Sequence, residues 1–158
     1  MPNITAILIL LSMLLWSCSS DPEKPEPPPE PPTIVQAIIA VSDQVNPDVN
    51  DRPSPIVVYL YELKALGKFE DADFYKLYED HESVLGSELV ASEKFHLQPG
   101  DITLVDHPVS PETKYIAVSA AYRNLNEAIW KAAVPIPAKK TSELRIFVGK
   151  LSVGIRQK

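Results

Sequence analysis

The side chains that could bind a metal or support catalysis are few and lie far apart in the chain. The three histidines, His81, His96 and His107, are fifteen and eleven residues apart, and the single cysteine cannot form an intramolecular disulfide or a multi-thiolate site. These spacings disfavour zinc. Asp71 and Asp73 could transfer protons, but no catalytic motif accompanies them. An enzyme is therefore unsupported, and we predict no catalytic, metal-binding or cofactor-binding residues.

One segment combines acidic, amide and proline side chains. It reads Asn46-Pro47-Asp48-Val49-Asn50-Asp51-Arg52-Pro53-Ser54-Pro55. Oxygen-bearing side chains alternate as in a calcium loop, but Asp51 stands where that loop requires glycine and Val57 stands where it requires a bidentate glutamate. A calcium site is therefore disfavoured.

The same segment has the composition of a rigid, projecting loop. Prolines restrict φ and Asx side chains bond locally, so a partner could bind the loop at little cost in conformational entropy. The predicted contact residues are Asn46, Pro47, Asp48, Val49, Asn50, Asp51, Arg52 and Pro53. Arg52 is the expected anchor because arginine is enriched at binding hot spots. The alternatives are a plain connection between strands and, for Arg52, an ion pair with Asp48 or Asp51 that only shapes the loop.

The cysteine, Cys18, follows an apolar run with the length of a signal-peptide core. Ile7 to Trp16 contains ten residues with one serine, about half of what a membrane span requires. The run ends in Leu15-Trp16-Ser17-Cys18, which resembles the bacterial lipobox. That resemblance implies a signal peptide over residues 1–17, cleavage before Cys18, and a lipidated cysteine carrying S-diacylglycerol and an N-acyl chain. An ordinary signal peptide is the alternative.

Such acyl chains would anchor the protein without a spanning helix, because each buried CH₂ contributes about 0.8 kcal/mol. Ser19 and Ser20 follow the cysteine, and by resemblance to enterobacterial lipoproteins serines there favour the outer membrane.

Residues 18–32 are expected to form a stiff linker. The stretch from Ser19 to Pro32 carries seven prolines, which favour polyproline II over packed structure. At about 3.1 Å per residue it could hold a domain roughly 40 Å from the membrane. A ligand for a proline-recognition domain is the alternative.

Residues 33–158 have the length and apolar content of one globular domain. The net charge is −6, and the only Lys-Lys pair is Lys139-Lys140. Because nucleic-acid binding requires a basic stripe that neutralises phosphates, nucleic acid is excluded as a partner.

The apolar residues of this domain fall into short runs separated by turn-forming residues, which predicts an all-β sandwich. The predicted strands are Ile34 to Ser42, Ile56 to Leu63, Leu89 to Leu97, Ile102 to Asp106, Tyr115 to Arg123, Ala128 to Ile136 and Leu144 to Arg156. In the last of these strands, the alternation of apolar and polar residues slips by one residue at Gly149-Lys150, which predicts a bulge or bend.

Two further local signals interrupt the strands. Phe74, Leu77, Tyr78, His81 and Leu85 follow helical spacing behind a cluster of acidic residues, which predicts one helix, broken near residue 86. The segment from residue 97 to residue 101 contains the Pro-Gly pair of a type II turn, which predicts a short hairpin.

Several motifs occur in an order that resembles a known family. They are Leu15 to Cys18, Asn46 to Pro55 followed by Ile56 to Leu63, Phe69, Ala72-Asp73-Phe74, Leu77 and Tyr78, Leu97-x-Pro99-Gly100, Ala120-Ala121-Tyr122-Arg123, and Trp130. Together they resemble the TssJ family, also called SciN or VasD, the outer-membrane lipoproteins of type VI secretion systems. The resemblance covers essentially the whole chain.

The resemblance implies a transthyretin-like two-sheet β-sandwich with a short helical insertion between strands 2 and 3. It implies a structural, non-enzymatic protein at the periplasmic face of the outer membrane. Its partner would be the periplasmic C-terminal region of TssM, an inner-membrane protein that joins TssL in a membrane complex. The family's contact loop maps to Asn46 to Pro55. A periplasmic lipoprotein that binds a small ligand or peptidoglycan is the main alternative, and an envelope hydrolase is a remoter one.

Overall fold

The computed structural model describes residues 28–158 as two four-stranded sheets packed against each other. Sheet A has the strand order β4-β1-β7-β8, and sheet B has the order β3-β2-β5-β6. The strands are β1 (Thr33–Val41), β2 (Ile56–Leu63), β3 (Leu89–Leu97), β4 (Ile102–Val109), β5 (Tyr115–Ala120), β6 (Lys131–Pro135), β7 (Thr141–Val148) and β8 (Val153–Gln157). This architecture confirms the predicted all-β sandwich.

Strand β1 shows how the sequence selects strands with one buried face. Val35 and Ile39 are completely buried, whereas the residues between the inward-facing positions lie on the outer side of sheet A. This period of two matches the alternation of side chains in a strand. Strand β1 pairs in parallel with β7, and Val41 lies opposite Val148. Both strands therefore end at the same end of the sandwich.

The main hydrophobic core lies between the two sheets. The inner face of β2 contributes Val58 and Leu60, and that of β5 contributes Ile116 and Val118, all of them buried. Burying one such side chain stabilises the fold by about 1.5–3 kcal/mol. This core fixes the ends of the strands and therefore positions the loops that join them.

A helical insertion between β2 and β3 covers the outer face of sheet B. It consists of α1 (Gly67–Asp71), α2 (Phe74–Glu79), α3 (His81–Leu85) and a single 3₁₀ turn (Gly86–Glu88). Its buried residues Phe69, Leu77 and Leu85 pack on Tyr61 and Leu63 of β2 in a second hydrophobic cluster. Strand β2 is thus buried on both faces, which accounts for its almost uninterrupted apolar sequence.

Lys131 of β6 fastens this insertion to sheet B. Its ammonium group donates hydrogen bonds to the backbone carbonyls of Phe69, Glu70 and Ala72, at 2.9, 2.6 and 3.1 Å. These carbonyls lie at the C-terminal end of α1, where the helix leaves backbone acceptors without partners. Burial lowers the pKa of Lys131, and the nearby Asp71 and Glu70 partly oppose that effect.

The insertion corrects the prediction of one helix. The helical spacing from Phe74 to Leu85 is present, but Asp73 and Asp80 each cap a new helix with a side-chain oxygen. Asp80 has φ −149° and ψ 69°, so the backbone leaves the helical region there. Among residues 28–158, no helix is long and apolar enough to cross a membrane.

The prediction of one long final strand is also wrong. Strands β7 and β8 are separate and pair antiparallel, with Val148 opposite Val153. The phase slip at Gly149-Lys150 marks the turn between them, where the N–H of Gly149 donates to the carbonyl of Ser152 at 2.7 Å. A turn and a bulge produce the same one-residue slip in the alternation of apolar and polar residues, because after either one the apolar side chains face the same core again.

The Pro-Gly turn is present, but it does not close a hairpin. The N–H of Asp101 donates to the carbonyl of Gln98 at 3.1 Å, and Gly100 has φ +85°, as position i+2 of a type II turn requires. The preceding strand, β3, pairs with β2, whereas the following strand, β4, pairs with β1. The turn therefore carries the chain from sheet B to sheet A.

Candidate functional site

The predicted contact loop joins β1 to β2 at the end of the sandwich opposite Thr33. Asn46 is buried, Pro47 and Asp48 are half-buried, and residues 49–53 are exposed. Val49 is 100% exposed and forms the tip of the loop. The loop therefore projects as predicted, whereas the buried side chain of Asn46 faces the protein interior.

Asp48 closes the exposed part of this loop. Its Oδ1 accepts hydrogen bonds from the backbone N–H groups of Asn50 and Arg52, at 2.8 and 3.0 Å. Its Oδ2 accepts from Nε and a terminal nitrogen of the Arg52 guanidinium, at 2.8 and 2.7 Å. The bonds from Arg52 and the backbone lower the pKa of Asp48 from 3.8 to about 2. At neutral pH the carboxylate is charged and holds a preformed turn.

The structure shows which ion pair Arg52 makes. Its partner is Asp48, whereas Asp51 pairs with Lys150 at 2.8 Å. The Arg52 side chain is still 73% exposed, so the pair that shapes the loop leaves most of the guanidinium accessible. The loop-shaping role and the anchoring role are thus compatible in one side chain.

Asn46 joins this loop to two other loops. Its side-chain amide donates to the carbonyl of Pro55 at 2.8 Å, and its Oδ1 accepts from the N–H of Arg123 at 2.8 Å. Its backbone N–H donates to the carbonyl of Lys150 at 3.0 Å. Asn46 has φ +48°, a left-handed conformation that asparagine tolerates better than most residues.

Further hydrogen bonds complete this assembly. The N–H of Ile129 donates to the carbonyl of Leu151 at 2.9 Å, and the hydroxyl of Tyr122 donates to the carbonyl of Gly149 at 3.1 Å. We call residues 42–55, 121–130 and 149–152 together the loop platform. The sequence indicated its first segment and the Tyr122-Arg123 motif, but not that Asn46 holds the three segments together.

The loop platform contains an open cleft of about 610 Å³. One wall is formed by the contact loop, and the other walls by residues that follow β5 and β7. The lining residues are Pro47, Asp48, Val49, Asp51, Arg123, Asn124, Glu127, Lys150 and Leu151. The projecting loop and this cleft form a surface suited to a macromolecular partner.

The histidines lie in structural contacts. His81 Nε2 and Ser92 Oγ are 2.9 Å apart, and His107 Nε2 lies 3.5 Å from the carboxylate of Glu62. That carboxylate also accepts a hydrogen bond from Thr113 at 2.8 Å. Within residues 28–158, no three His, Cys, Asp or Glu side chains are arranged to hold a metal ion. The predicted lipid attachment site, Cys18, and the signal peptide lie outside the described residues.

Comparison with known proteins relates this domain to one family. The family model for T6SS-SciN, the type VI secretion lipoproteins VasD, EvfM and TssJ, matches residues 33–151. The crystal structure of the T6SS lipoprotein TssJ1 from Pseudomonas aeruginosa is similar with a TM-score of 0.78 and 32% identity, over 81% of this chain and 98% of that chain.

Two further structures are similar. Serratia marcescens Lip, described as a membrane bound component of the Type VI Secretion System, has a TM-score of 0.72 and 29% identity, over 80% of this chain and 96% of that chain. A structure described as the T6SS protein TssM C-terminal domain from EAEC has a TM-score of 0.60 and 20% identity, over 78% of this chain and 97% of that chain, a similarity of fold alone. Among curated protein sequences no significant match is found.

Proposed function

Because the chain belongs to the type VI secretion lipoprotein family, we propose that it is a structural subunit of a type VI secretion membrane complex. In this role it is anchored at the periplasmic face of the outer membrane. It binds the periplasmic C-terminal region of TssM, which joins TssL in the inner membrane. The family is one of structural lipoproteins, and the proposed role is correspondingly non-enzymatic.

The observation that carries the proposal is that the chain enters the sandwich at the end opposite the loop platform. Strand β1 begins at Thr33, directly after the linker, and ends at Val41, where it enters the platform. Nine residues at about 3.3 Å each separate these ends by roughly 30 Å. A domain held at its Thr33 end by an acylated Cys18 thus presents the platform away from the membrane, toward an inner-membrane partner.

The anchor and the partner have different support. The related Serratia marcescens Lip is described as membrane bound, which supports attachment through the lipobox cysteine. TssM is proposed as the partner because the resemblance to the TssJ family implies it, and the similar structure described by the TssM C-terminal domain shares the fold. The contact loop is already closed by Asp48 and Arg52, so binding would order little additional backbone.

The proposal is tested by titrating the periplasmic region of TssM onto the full-length lipoprotein purified in detergent. A variant replaces Asp48 to Arg52 with glycine and serine. A matched control makes the same replacement at Pro137 and Ala138, an exposed pair at the Thr33 end. Loss of one good hot spot costs about 2 kcal/mol, so we expect the loop variant to bind roughly thirtyfold more weakly.

The loop variant should stay folded, with a melting temperature only slightly below that of the wild type, because it loses the hydrogen bonds of Asp48 and the Asp51–Lys150 ion pair but leaves the sandwich core untouched. Equal TssM affinity of the wild type, the loop variant and the control would show that the partner does not use this loop. Absence of TssM binding by the wild type would instead favour the ligand- or peptidoglycan-binding alternative.

A further inference from the structure

The outer face of sheet A carries an apolar patch that no part of the described chain covers. The patch consists of Ile38 and Ala40 of β1, Ile102 and Leu104 of β4, and Phe147 of β7. The strand register places Ile38 opposite Leu104, and Ala40 between Ile102 and Phe147. We call these five residues the outer apolar patch.

Its large side chains are unusually exposed for their type. Leu104 is 73% exposed, Ile102 72%, Phe147 63% and Ile38 43%. Single exposed apolar residues are ordinary, but a contiguous group on neighbouring strands marks an interaction site or an aggregation hazard. The outer face of sheet B differs, because the helical insertion covers it.

The outer apolar patch adjoins the loop platform. Phe147 lies three residues before Lys150, whose carbonyl accepts the N–H of Asn46 and whose ammonium pairs with Asp51. Ala40 lies two residues before the platform begins at residue 42. The patch and the platform thus meet at the same end of the sandwich, away from Thr33.

The contact loop alone is too small for a stable interface. The predicted contact comprises eight residues, whereas a standard protein–protein interface uses about 20–30 residues on each side. The rest of the loop platform and the outer apolar patch are the surfaces that adjoin it, and the patch supplies the apolar area that hot spots require.

Two arginines continue the row of Ile38 and Leu104 on the same face. Arg145 lies beside Ile38 in the register, and Arg156 lies beside Arg145. Neither arginine belongs to an ion pair within residues 28–158. The row beyond them carries Asp106, hydrogen-bonded to Gln36, and Glu143, paired with Lys158. The two arginines are thus the charged groups beside the patch that have no ion-pair partner among residues 28–158, and a partner segment with apolar side chains and adjacent acidic residues would complement them.

We propose that the outer apolar patch is a second part of the TssM contact surface, where it binds an apolar segment of TssM flanked by acidic side chains. This inference rests on the proposed function. It adds Phe147, Leu104 and Arg145 to the predicted TssM contact, which the sequence analysis had limited to the loop between β1 and β2. A second copy of this chain and an anionic lipid surface are the competing occupants.

The test compares three full-length proteins in the same TssM titration. The first variant is Phe147→Ser with Leu104→Ser. The control is Tyr75→Ser, on α2, because Tyr75 is 63% exposed, as is Phe147, but lies on the helical insertion. We expect the double variant to bind at least tenfold more weakly and the control to bind as the wild type does. Because the replaced side chains are exposed, the melting temperatures should agree.

Each occupant gives a different result. If the double variant binds TssM like the wild type while the variant with residues 48–52 replaced binds weakly, the inference is wrong and the proposed function stands. If the substitutions leave TssM affinity unchanged but dissociate a dimer seen by sedimentation, the occupant is a second copy. If they abolish flotation of the Cys18→Ser protein with anionic vesicles at unchanged TssM affinity, the occupant is a membrane. Failure of the wild type to bind TssM would defeat both proposals.

Discussion

Single side chains, above all Asn46 and Asp48, determine the shape of the proposed contact surface. Asn46 uses its whole amide internally, whereas Asp48 uses its carboxylate to close the exposed turn. The two residues thus act on different parts of the loop. Asn46 fixes where the loop sits on the sandwich, and Asp48 fixes how Val49 is presented.

Replacing Asn46 by glycine should loosen the loop platform. Glycine tolerates the φ of +48° but removes the bonds to Pro55 and Arg123 and leaves the Arg123 N–H without its acceptor. We expect a loss of about 1–3 kcal/mol in the free energy of unfolding, measured with urea. Asn46→Ala should cost more, because alanine also strains the backbone. Equal stability of the wild type and both variants would show that these hydrogen bonds contribute nothing.

The closed turn should persist to unusually low pH. The folded-state pKa of Asp48 is about 2, below the ordinary 3.8, so its stabilising contribution is fully present above about pH 4 and is lost as pH falls through about 2. NMR of the Asp48 carboxyl carbon should report a midpoint near 2. Arg52→Ala should shift that midpoint upward, because Arg52 is the largest cause of the depression. A wild-type midpoint near 3.8 would contradict the observed closure.

Among the secondary-structure elements, the helical insertion depends most on one long-range contact. Helices α1, α2 and α3 have five, six and five residues, too short to be stable in isolation. Their stability comes from packing on β2 and from Lys131, which lies on β6, far along the chain. The ring of Trp130 lies 4.7 Å from the same ammonium group.

Lys131→Met should therefore destabilise the insertion. Methionine keeps the apolar stem but leaves the carbonyls of Phe69, Glu70 and Ala72 without this donor. We expect unfolding to require about 1–3 kcal/mol less free energy and amide exchange to accelerate in α1. The matched control is Lys94→Met, whose ammonium lies 5.3 Å from the Tyr59 ring and which should lose less than about 1 kcal/mol. Equal losses in the two variants would rule out a special role for Lys131.

The sequence was sufficient for elements whose signals are local. The alternation of Val35 and Ile39 in β1, and the Pro-Gly pair at residues 99–100, each predicted a feature that the structure contains. The pairing of strands was harder to predict, because it depends on residues that are distant in the chain. The slip at Gly149-Lys150 fits a bulge and a turn equally well, and only the positions of β7 and β8 in sheet A decide between them.

In the candidate site too, local features could be predicted from the sequence and contacts between distant residues could not. The composition of the contact loop indicated rigidity, but it left Asp48 and Asp51 as alternative ion-pair partners of Arg52, and the structure selects Asp48. The bond from Arg123 to Asn46 spans 77 residues, so no local pattern could reveal it. The outer apolar patch was also hidden, since Ile102, Leu104 and Phe147 have the same residue types as core strands.

At the scale of the whole molecule, the two ends of the sandwich differ in what they carry. Strand β1 begins at Thr33, and the loop platform and outer apolar patch occupy the other end, where β1 reaches Val41. This arrangement suits a subunit that is held at one membrane and binds a protein from another. The described domain contains no cysteine, so its folding does not depend on Cys18, the proposed site of anchoring.

Cys18→Ser should abolish anchoring without affecting the fold. The sulfur that accepts the diacylglyceryl group would be lost, so the domain should remain in the soluble periplasm or stay uncleaved at the inner membrane. Fractionation combined with metabolic palmitate labelling measures this directly. A Cys18→Ser protein that still incorporates palmitate and still floats with outer membranes would contradict the lipoprotein assignment.

The most direct test of the central claim is photo-crosslinking of the assembled complex in cells. A photoreactive residue is placed at Val49, the fully exposed tip of the contact loop, and in a second strain at Tyr75 on α2. If the loop platform is the TssM contact, Val49 should crosslink to TssM, as identified by mass spectrometry, and Tyr75 should not. Crosslinking of TssM from Tyr75 with none from Val49 would contradict the account.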